Sequence, residues 1–107
     1  MNHVLQQHKA DFFKAMSSPM RLAMLEILAK EDSSVTQLAE RVGLDTSTAS
    51  RHLSQLRTAG VVEATRQGTT LMYRLSDERV GELLAIARSI IATQLHATSE
   101  MLADLRE

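Results

Sequence analysis

The stretch DTSTASRHLSQLRTAGVV, residues 45–62, places hydroxyl, guanidinium and amide side chains on a segment whose apolar residues recur at helical spacing. Arg51 can form two hydrogen bonds to guanine and Gln55 can form two to adenine, while short hydroxyl side chains allow close approach to the bases and phosphates. The pattern therefore predicts a helix that reads double-stranded DNA in the major groove. The residues expected to take part are Thr46, Ser47, Thr48, Ser50, Arg51, His52 and Gln55.

A second polar group follows, where the periodicity changes from helical to alternating. Leu71, Tyr73 and Leu75 alternate with other residues, and Gln67-Gly68 between two extended runs predicts a tight hairpin turn. The result is a two-stranded ribbon whose polar tip suits a neighbouring minor groove. Its predicted DNA contacts are Arg66, Gln67, Gly68 and Thr69, and Thr36 and Gln37 of the preceding short helix complete the predicted DNA-binding set.

Charge is distributed unevenly along the chain, although the formal net charge is only -1. Residues 45–75 contain four Arg against one Asp and one Glu, whereas residues 76–107 contain six acidic residues against three Arg. A net charge near zero argues against indiscriminate nucleic-acid binding, and a local basic region is the electrostatic footprint of a specific contact. We therefore expect DNA to contact the middle of the chain.

Composition excludes several other kinds of protein. The 107 residues contain no Cys, which excludes disulfides, thiolate metal sites and Cys nucleophiles. No apolar run approaches the roughly 20 residues of a membrane span, and the amino terminus lacks the apolar stretch of a signal peptide. We expect one domain over residues 1–107, located in the cytoplasm, without a cofactor and without membrane contact.

Capping residues and periodicity predict the elements that position these side chains. Ser34 with Gln37 has the form of a capping box, Gly43 can end a helix in the left-handed conformation, and Asp45 and Asp77 are candidate caps. A short helix, a tight turn and a second helix form a helix-turn-helix. The fold class is mainly α with a small β-hairpin wing, a winged helix-turn-helix. Its predicted elements are helices over 4–16, 19–30, 35–42 and 46–59, then the ribbon, then a helix from 78 to the chain end.

The last helix carries an apolar stripe that is too long for a domain of this size to bury. At about 1.5 Å per residue the helix would extend for roughly 45 Å. We therefore expect a homodimer in which the first and last helices meet a second copy. The predicted interface residues are Leu5, Phe12, Leu84, Ile91, Leu95, Thr98, Met101 and Leu102.

In these motifs the chain resembles the ArsR/SmtB family of small bacterial repressors over essentially its whole length. The run SRHLSQLRTAGVV carries the resemblance, with RQG and YRL following at matching distances and SSPMR preceding it. The resemblance implies a homodimer built from the first and last helices and operator binding through residues 46–56. It also implies a repressor of ArsR type on a palindromic operator, which releases the DNA when an effector is sensed.

The residues through which many members of that family sense metals or oxidants are missing here. The third helix, VTQLAERV, contains no Cys, and the positions of the family's zinc ligands in the last helix are occupied by Asp77, Arg79, Ile90 and Thr93. Three of these four cannot bind zinc. We therefore predict no metal site and an effector, if there is one, of unknown chemistry. A composite site across the dimer is the lesser alternative to solvated helix surface, and it would use either His3 or His8 together with His96 and Glu100.

Two other classes of function fit the sequence less well. A winged-helix module that binds protein instead of DNA is the alternative, but such an interface favours exposed Tyr, Trp, Phe or Met, which the reading helix lacks. An enzyme would need a nucleophile, a carboxylate pair or a phosphate-cradling loop, and the sequence predicts none of these. The sequence therefore favours a non-enzymatic, DNA-binding transcriptional regulator.

Overall fold

The computed structural model describes residues 3–106, and over these residues it contains five helices and one antiparallel sheet. The predicted winged helix-turn-helix is confirmed, with one short strand added to the predicted order. Among the described residues, no helix has the length and apolarity needed to cross a bilayer. The elements are α1 (His3–Met16), α2 (Pro19–Leu28), β1 (Ser33–Ser34), α3 (Val35–Val42), α4 (Thr46–Thr58), β2 (Val62–Gln67), β3 (Thr70–Leu75) and α5 (Arg79–Leu105).

Local capping fixes the helix-turn-helix. The amide N–H of Ser34 donates to Gln37 Oε1 at 2.8 Å, and the amide N–H of Gln37 donates to Ser34 Oγ at 3.2 Å, which completes the capping box of α3. Gly43 ends α3 in the left-handed conformation with φ of 75°. The carboxylate of Asp45 then accepts the amide N–H of Thr48 at 2.7 Å. Two caps and one glycine therefore set the angle between α3 and α4.

The hairpin turn lies one residue later than the sequence predicts. Gln67 is the last residue of β2 and pairs with Thr70, so the two loop residues are Gly68 and Thr69. Gly68 has φ of 66°, whereas no described residue other than glycine has a positive φ. A two-residue loop with glycine first in this conformation is the pattern of a type II′ turn, and the position of the glycine therefore decides the register.

The wing contains the predicted β2–β3 ribbon and, in addition, the short strand β1, which the sequence analysis did not predict. β1 pairs with β3, so that the strand order is β1-β3-β2. In the register of this pair Ser33 lies opposite Tyr73 and Ser34 opposite Met72. A strand of two residues is too short to show an alternating pattern, which explains why the sequence gives no signal for it.

The core lies between α2, α3, α4 and the sheet. α4 contributes Ala49, Leu53 and Leu56, each of which is completely buried, as the helical spacing predicts. Burying a Leu side chain contributes about 1.5–3 kcal/mol. This anchorage fixes the rotation of α4 about its axis and leaves its polar side facing outward. The largest fully buried side chains are Met24, Leu25, Leu38, Leu53, Leu56 and Val61.

α5 contacts the core through its first turns only. The N-cap position of α5 is occupied by Glu78, whose side chain forms no capping hydrogen bond. Asp77, one residue earlier, supplies the cap instead, since its Oδ1 accepts the amide N–H of Arg79 at 2.9 Å. Val80 is buried and Leu83 and Leu84 are partly buried. From residue 85 to residue 106 every described residue is exposed. Most of the length of α5 is therefore not stabilised by its own domain.

Candidate nucleic-acid interface

The outer side of α4 presents most of the predicted reading residues to solvent. Thr48 and His52 are half-buried at the edge of the inner side, next to Ala49 and Leu53. Arg51 forms no ion pair within the described residues, so its guanidinium is available to an anionic partner. The fully exposed members of the predicted set on this helix are Thr46, Ser47, Ser50, Arg51 and Gln55.

The tip of the wing is also exposed. Arg66, Gln67, Gly68 and Thr69 all face solvent at the β2–β3 turn, and Arg66 likewise forms no ion pair within the described residues. Arg74 differs, since its guanidinium lies 3.6 Å from Glu63 on the neighbouring strand. Arg66 at the tip therefore has no ion-pair partner among the described residues, whereas Arg74 at the base of the wing has one. An unpaired cation at the tip is suited to bind a phosphate.

The amino-terminal end of α3 offers less than the sequence suggests. Thr36 and Gln37 are both exposed. The side-chain oxygen of Gln37 is, however, already an acceptor in the capping box, at 2.8 Å from the amide nitrogen of Ser34. Only its NH₂ group is left to donate, which suits a phosphate oxygen rather than the two-bond recognition of adenine.

The structure joins α2 to α4 through a side-chain contact that the sequence analysis did not identify. The Nε–H of Arg21 donates to His52 Nδ1 at 3.0 Å, and its Nη1–H donates to the carbonyl oxygen of Ala15 at 3.1 Å. Arg21 belongs to the SSPMR motif, but no spacing rule connects it with a residue 31 positions further on. Only the packing of α2 against α4 brings the two side chains together.

Burial and neighbouring charge favour the neutral imidazole of His52. Desolvation by burial lowers the pKa of His52 below its usual value, and the positive charges of Arg21 and Arg51 lower it further. At the start of the same helix, hydrogen bonds from Thr48 and, to a smaller extent, the charge of Arg51 hold the pKa of Asp45 below its usual value. The surroundings of the helix therefore favour the charged form of its Asp45 cap and the neutral form of His52.

Comparison with known proteins identifies the family. A helix-turn-helix transcriptional regulator of Mycobacterium tuberculosis, Rv0081, is 42% identical over 103 residues, which is 95% of this chain and 90% of that protein. The sequence profile "Bacterial regulatory protein, arsR family" matches residues 18–64. The chain belongs to the ArsR family. Membership confirms the predicted class of DNA-binding transcriptional regulator.

Solved structures of ArsR-type regulators share the fold. The homodimeric winged helix-turn-helix domain of a possible ArsR-family regulator from Mycobacterium bovis, determined by NMR, matches with a TM-score of 0.83 at 33% identity, over 88% of this chain and 87% of that one. The crystal structure of Rv0081 matches with a TM-score of 0.81 at 41% identity, over 88% of this chain and 95% of that one. The nodulation protein NolR of Rhizobium meliloti is 37% identical over 85% of this chain and 75% of its own length.

The predicted dimer residues of this ArsR-family chain fall into two groups. Phe12 and Leu84 are partly buried against the chain's own core. Leu5, Ile91, Leu95, Thr98, Met101 and Leu102 are exposed, with Ile91 at 52% and Leu95 at 66%. Five further large apolar side chains on the same two helices are exposed but are not in the predicted interface set, namely Val4, Phe13, Ile86, Ile90 and Leu105.

Of the four candidate metal ligands, only His96 and Glu100 lie next to each other within the described part of one chain. His96 Nε2 lies 3.2 Å from Glu100 Oε1, one helical turn away, and both side chains are largely exposed. His3 and His8 are exposed on α1. Within residues 3–106, no three His, Asp or Glu side chains are grouped so that they could hold a metal ion. A composite site would therefore need ligands from two chains.

The position of the family's first zinc ligand is occupied by an internal ion pair. The guanidinium of Arg79 donates to both carboxylate oxygens of Asp77, the shortest distance being 2.7 Å. These side-chain hydrogen bonds, together with the amide N–H of Arg79, lower the pKa of Asp77 to about 2. The carboxylate of Asp77 is thus ionised and is already paired with the guanidinium of Arg79.

Proposed function

We propose that this ArsR-family chain is a transcriptional repressor that binds a two-fold symmetric operator as a homodimer. The observation that carries the proposal is the outer side of α4, where five predicted reading residues are exposed and Arg51 forms no ion pair with any residue between 3 and 106. Short hydroxyl side chains around a free guanidinium suit the edges of bases and the phosphates beside them. The proposal includes a non-enzymatic role and, because the partner is DNA, a cytoplasmic location.

The wing supplies a second contact to the same duplex. With α4 in the major groove, the β2–β3 turn would reach the adjacent minor groove, where Arg66 at its tip meets the phosphates that line it. The exposed backbone of Gly68 allows the turn to approach closely. The hairpin therefore adds affinity, whereas α4 adds both affinity and sequence preference.

A second copy completes the unit that binds DNA. α5 exposes Ile91, Leu95 and Leu102 along its side, and such apolar side chains are expected to be buried in a stable assembly. The related Mycobacterium bovis domain is described as homodimeric. We assign the interface to α1 and α5, and the two copies of α4 would then contact successive major grooves of a palindromic site.

A titration of the purified protein with duplexes tests this function. Duplexes from the region upstream of its own coding sequence are compared with random duplexes of equal length, each at about 50 and 200 mM salt, where phosphate contacts should reduce affinity by orders of magnitude. We expect preferential binding to at least one upstream duplex and a dimer by light scattering. Equal affinity for all duplexes, or binding to a protein partner through α4 without any DNA binding, would contradict the proposal. In the second case the chain would be the interaction module.

A further inference from the structure

The contact between Arg21 and His52 restricts the chemistry of the imidazole. Arginine is a donor only and stays protonated, so the Nδ1 atom that receives its Nε–H must be the unprotonated nitrogen. In a neutral imidazole the single proton then belongs to Nε2. Protonation of both nitrogens would place two donors face to face. Arg21 therefore selects one of the two neutral tautomers of His52.

The Nε2 atom that carries the proton is not fully buried. Within residues 3–106, Nε2 of His52 forms no hydrogen bond. In the same residues, every fully buried side-chain nitrogen or oxygen has a hydrogen-bond partner. An Nε2 atom without a partner must consequently be accessible. His52 thus uses its Nδ1 atom inside the protein and presents a directed N–H donor outside.

The position of His52 on α4 limits what this donor can reach. Arg51 lies on the outer side, while His52 lies half-buried at the edge that faces α2. The outer side of a reading helix meets base edges, and its flanks pass the sugar-phosphate walls of the groove. A single donor at the flank has the geometry for a phosphate oxygen rather than for a base.

We propose that Arg21 is a positioning residue for DNA recognition, which holds His52 as its Nε2–H tautomer so that this group donates to a backbone phosphate. The proposal rests on the proposed function and adds a residue that does not itself touch the duplex. The same guanidinium also holds the carbonyl oxygen of Ala15 at the end of α1. One side chain thus fixes α1, α2 and the flank of α4 relative to one another.

Two amide substitutions separate the roles of the imidazole nitrogens. His52→Asn leaves an acceptor near the position of Nδ1 but removes the outer donor, and His52→Gln leaves a donor near the position of Nε2 but removes the inner acceptor. Affinity is measured on the upstream duplex that the wild-type protein prefers, and folding is checked by thermal melting. We expect His52→Asn to fold normally and bind about ten-fold more weakly, as for the loss of one hydrogen bond to a charged group. We expect His52→Gln to recover part of the affinity.

Arg21→Met, alone and combined with His52→Asn, tests whether Arg21 acts through His52. Arg21→Met alone should weaken binding by a similar factor, and the double variant should bind no more weakly than His52→Asn. If Arg21 acted only through its long-range charge, Arg21→Met would weaken the Asn variant as much as the wild type, and the proposal would be wrong. Arg88→Met, which removes a cation of α5 that lies beside Lys30 and Glu26, is the control and should bind as the wild type.

Nitrogen NMR of the imidazole gives a readout that does not depend on affinity. In the wild type we expect the proton on Nε2, and in Arg21→Met a mixture of both tautomers. A wild-type imidazole protonated on Nδ1 would overturn the inference even if the operator is bound normally. Conversely, a wild type with the expected tautomer but no preference for any upstream duplex would contradict the proposed function and the phosphate contact, and leave Arg21 as the determinant of the tautomer.

Discussion

α4 and the second half of α5 are both helices with an exposed side, but their surfaces have opposite chemistry. α4 is fixed from behind by three fully buried side chains and presents hydroxyl, amide and guanidinium groups. α5 beyond residue 84 has no buried side chain and presents Ile and Leu. A polar surface that is held by the core suits a hydrated, charged partner. An exposed apolar surface that its own domain does not cover is suited to another apolar surface. This contrast supports the proposal that α4 binds DNA and that α5 binds a second copy of the chain.

The largest effect should follow from placing a charge on the exposed apolar side of α5. Ile91→Asp would put one carboxylate from each copy into the interface, and the loss of two buried Ile side chains alone amounts to about 3–6 kcal/mol per dimer. We expect a monomer at micromolar concentration by analytical ultracentrifugation, and loss of operator binding with it. Ser89→Asp, on the opposite side of the same helix, is the matched control and should remain dimeric. A dimeric Ile91→Asp variant would place the interface elsewhere.

The support of α4 should be the next most sensitive feature. Leu53 is fully buried beneath the helix, and Leu53→Ala should lower the free energy of unfolding by about 2–5 kcal/mol, measured by urea denaturation. The neighbouring exposed Ser54 provides the control, since Ser54→Ala should change stability by less than about 0.5 kcal/mol. Similar stabilities for the two variants would mean that α4 does not rest on the core as described.

On the polar surface, we expect one Arg to contribute to sequence preference and another to contribute only to affinity. Arg51→Ala should lower affinity and relax the preference at one base pair by about 1–3 kcal/mol, because its guanidinium is exposed on the side of α4 that we propose meets the base edges. Arg66→Ala at the tip of the wing should weaken binding to all sequences alike and reduce the salt dependence. Titrations of each variant against a set of operators with single base changes check both expectations. If both variants lost affinity uniformly, Arg51 would be a phosphate contact as well.

The sequence predicts this division of surfaces better than it predicts the contacts that hold them in place. The bounds of α3 and the caps at Ser34 and Asp45 follow from neighbouring residues, so local rules suffice to find them. β1 is too short to carry a periodic signal. The pairing of Arg21 with His52 spans 31 positions and depends on how α2 packs on α4. Local chemistry therefore indicates candidate residues for the site, whereas only tertiary packing brings Arg21 to His52.

A smaller effect is expected from the cap of α4. Asp45→Ala removes the acceptor for the amide N–H of Thr48 and should destabilise the protein by about 0.5–2 kcal/mol, measured by urea denaturation. Asp45→Asn, which keeps an oxygen acceptor without the charge, should recover most of this loss. Since the pKa of Asp45 is lowered in the folded state, the contribution of its charge is present above the unfolded pKa near 3.8 and is lost as the pH falls through the folded value. The Asn variant should therefore lack that part of the acid sensitivity.

The smallest expected effect concerns the pH dependence of stability through His52. Burial and the charges of Arg21 and Arg51 lower its pKa in the folded protein below the usual 6.5. Between the folded and unfolded pKa values the unfolded chain binds more protons, so stability is complete above about pH 6.5 and decreases as the pH falls toward the folded value. Melting temperatures at pH 7.5 and 5.5 should thus differ more in the wild type than in His52→Asn, which has no group that titrates at this position. Equal differences in the two proteins would mean that Arg21 tolerates a protonated imidazole. The difference between α4, which is held by the core, and α5, which is not, would then depend only on the buried side chains of α4.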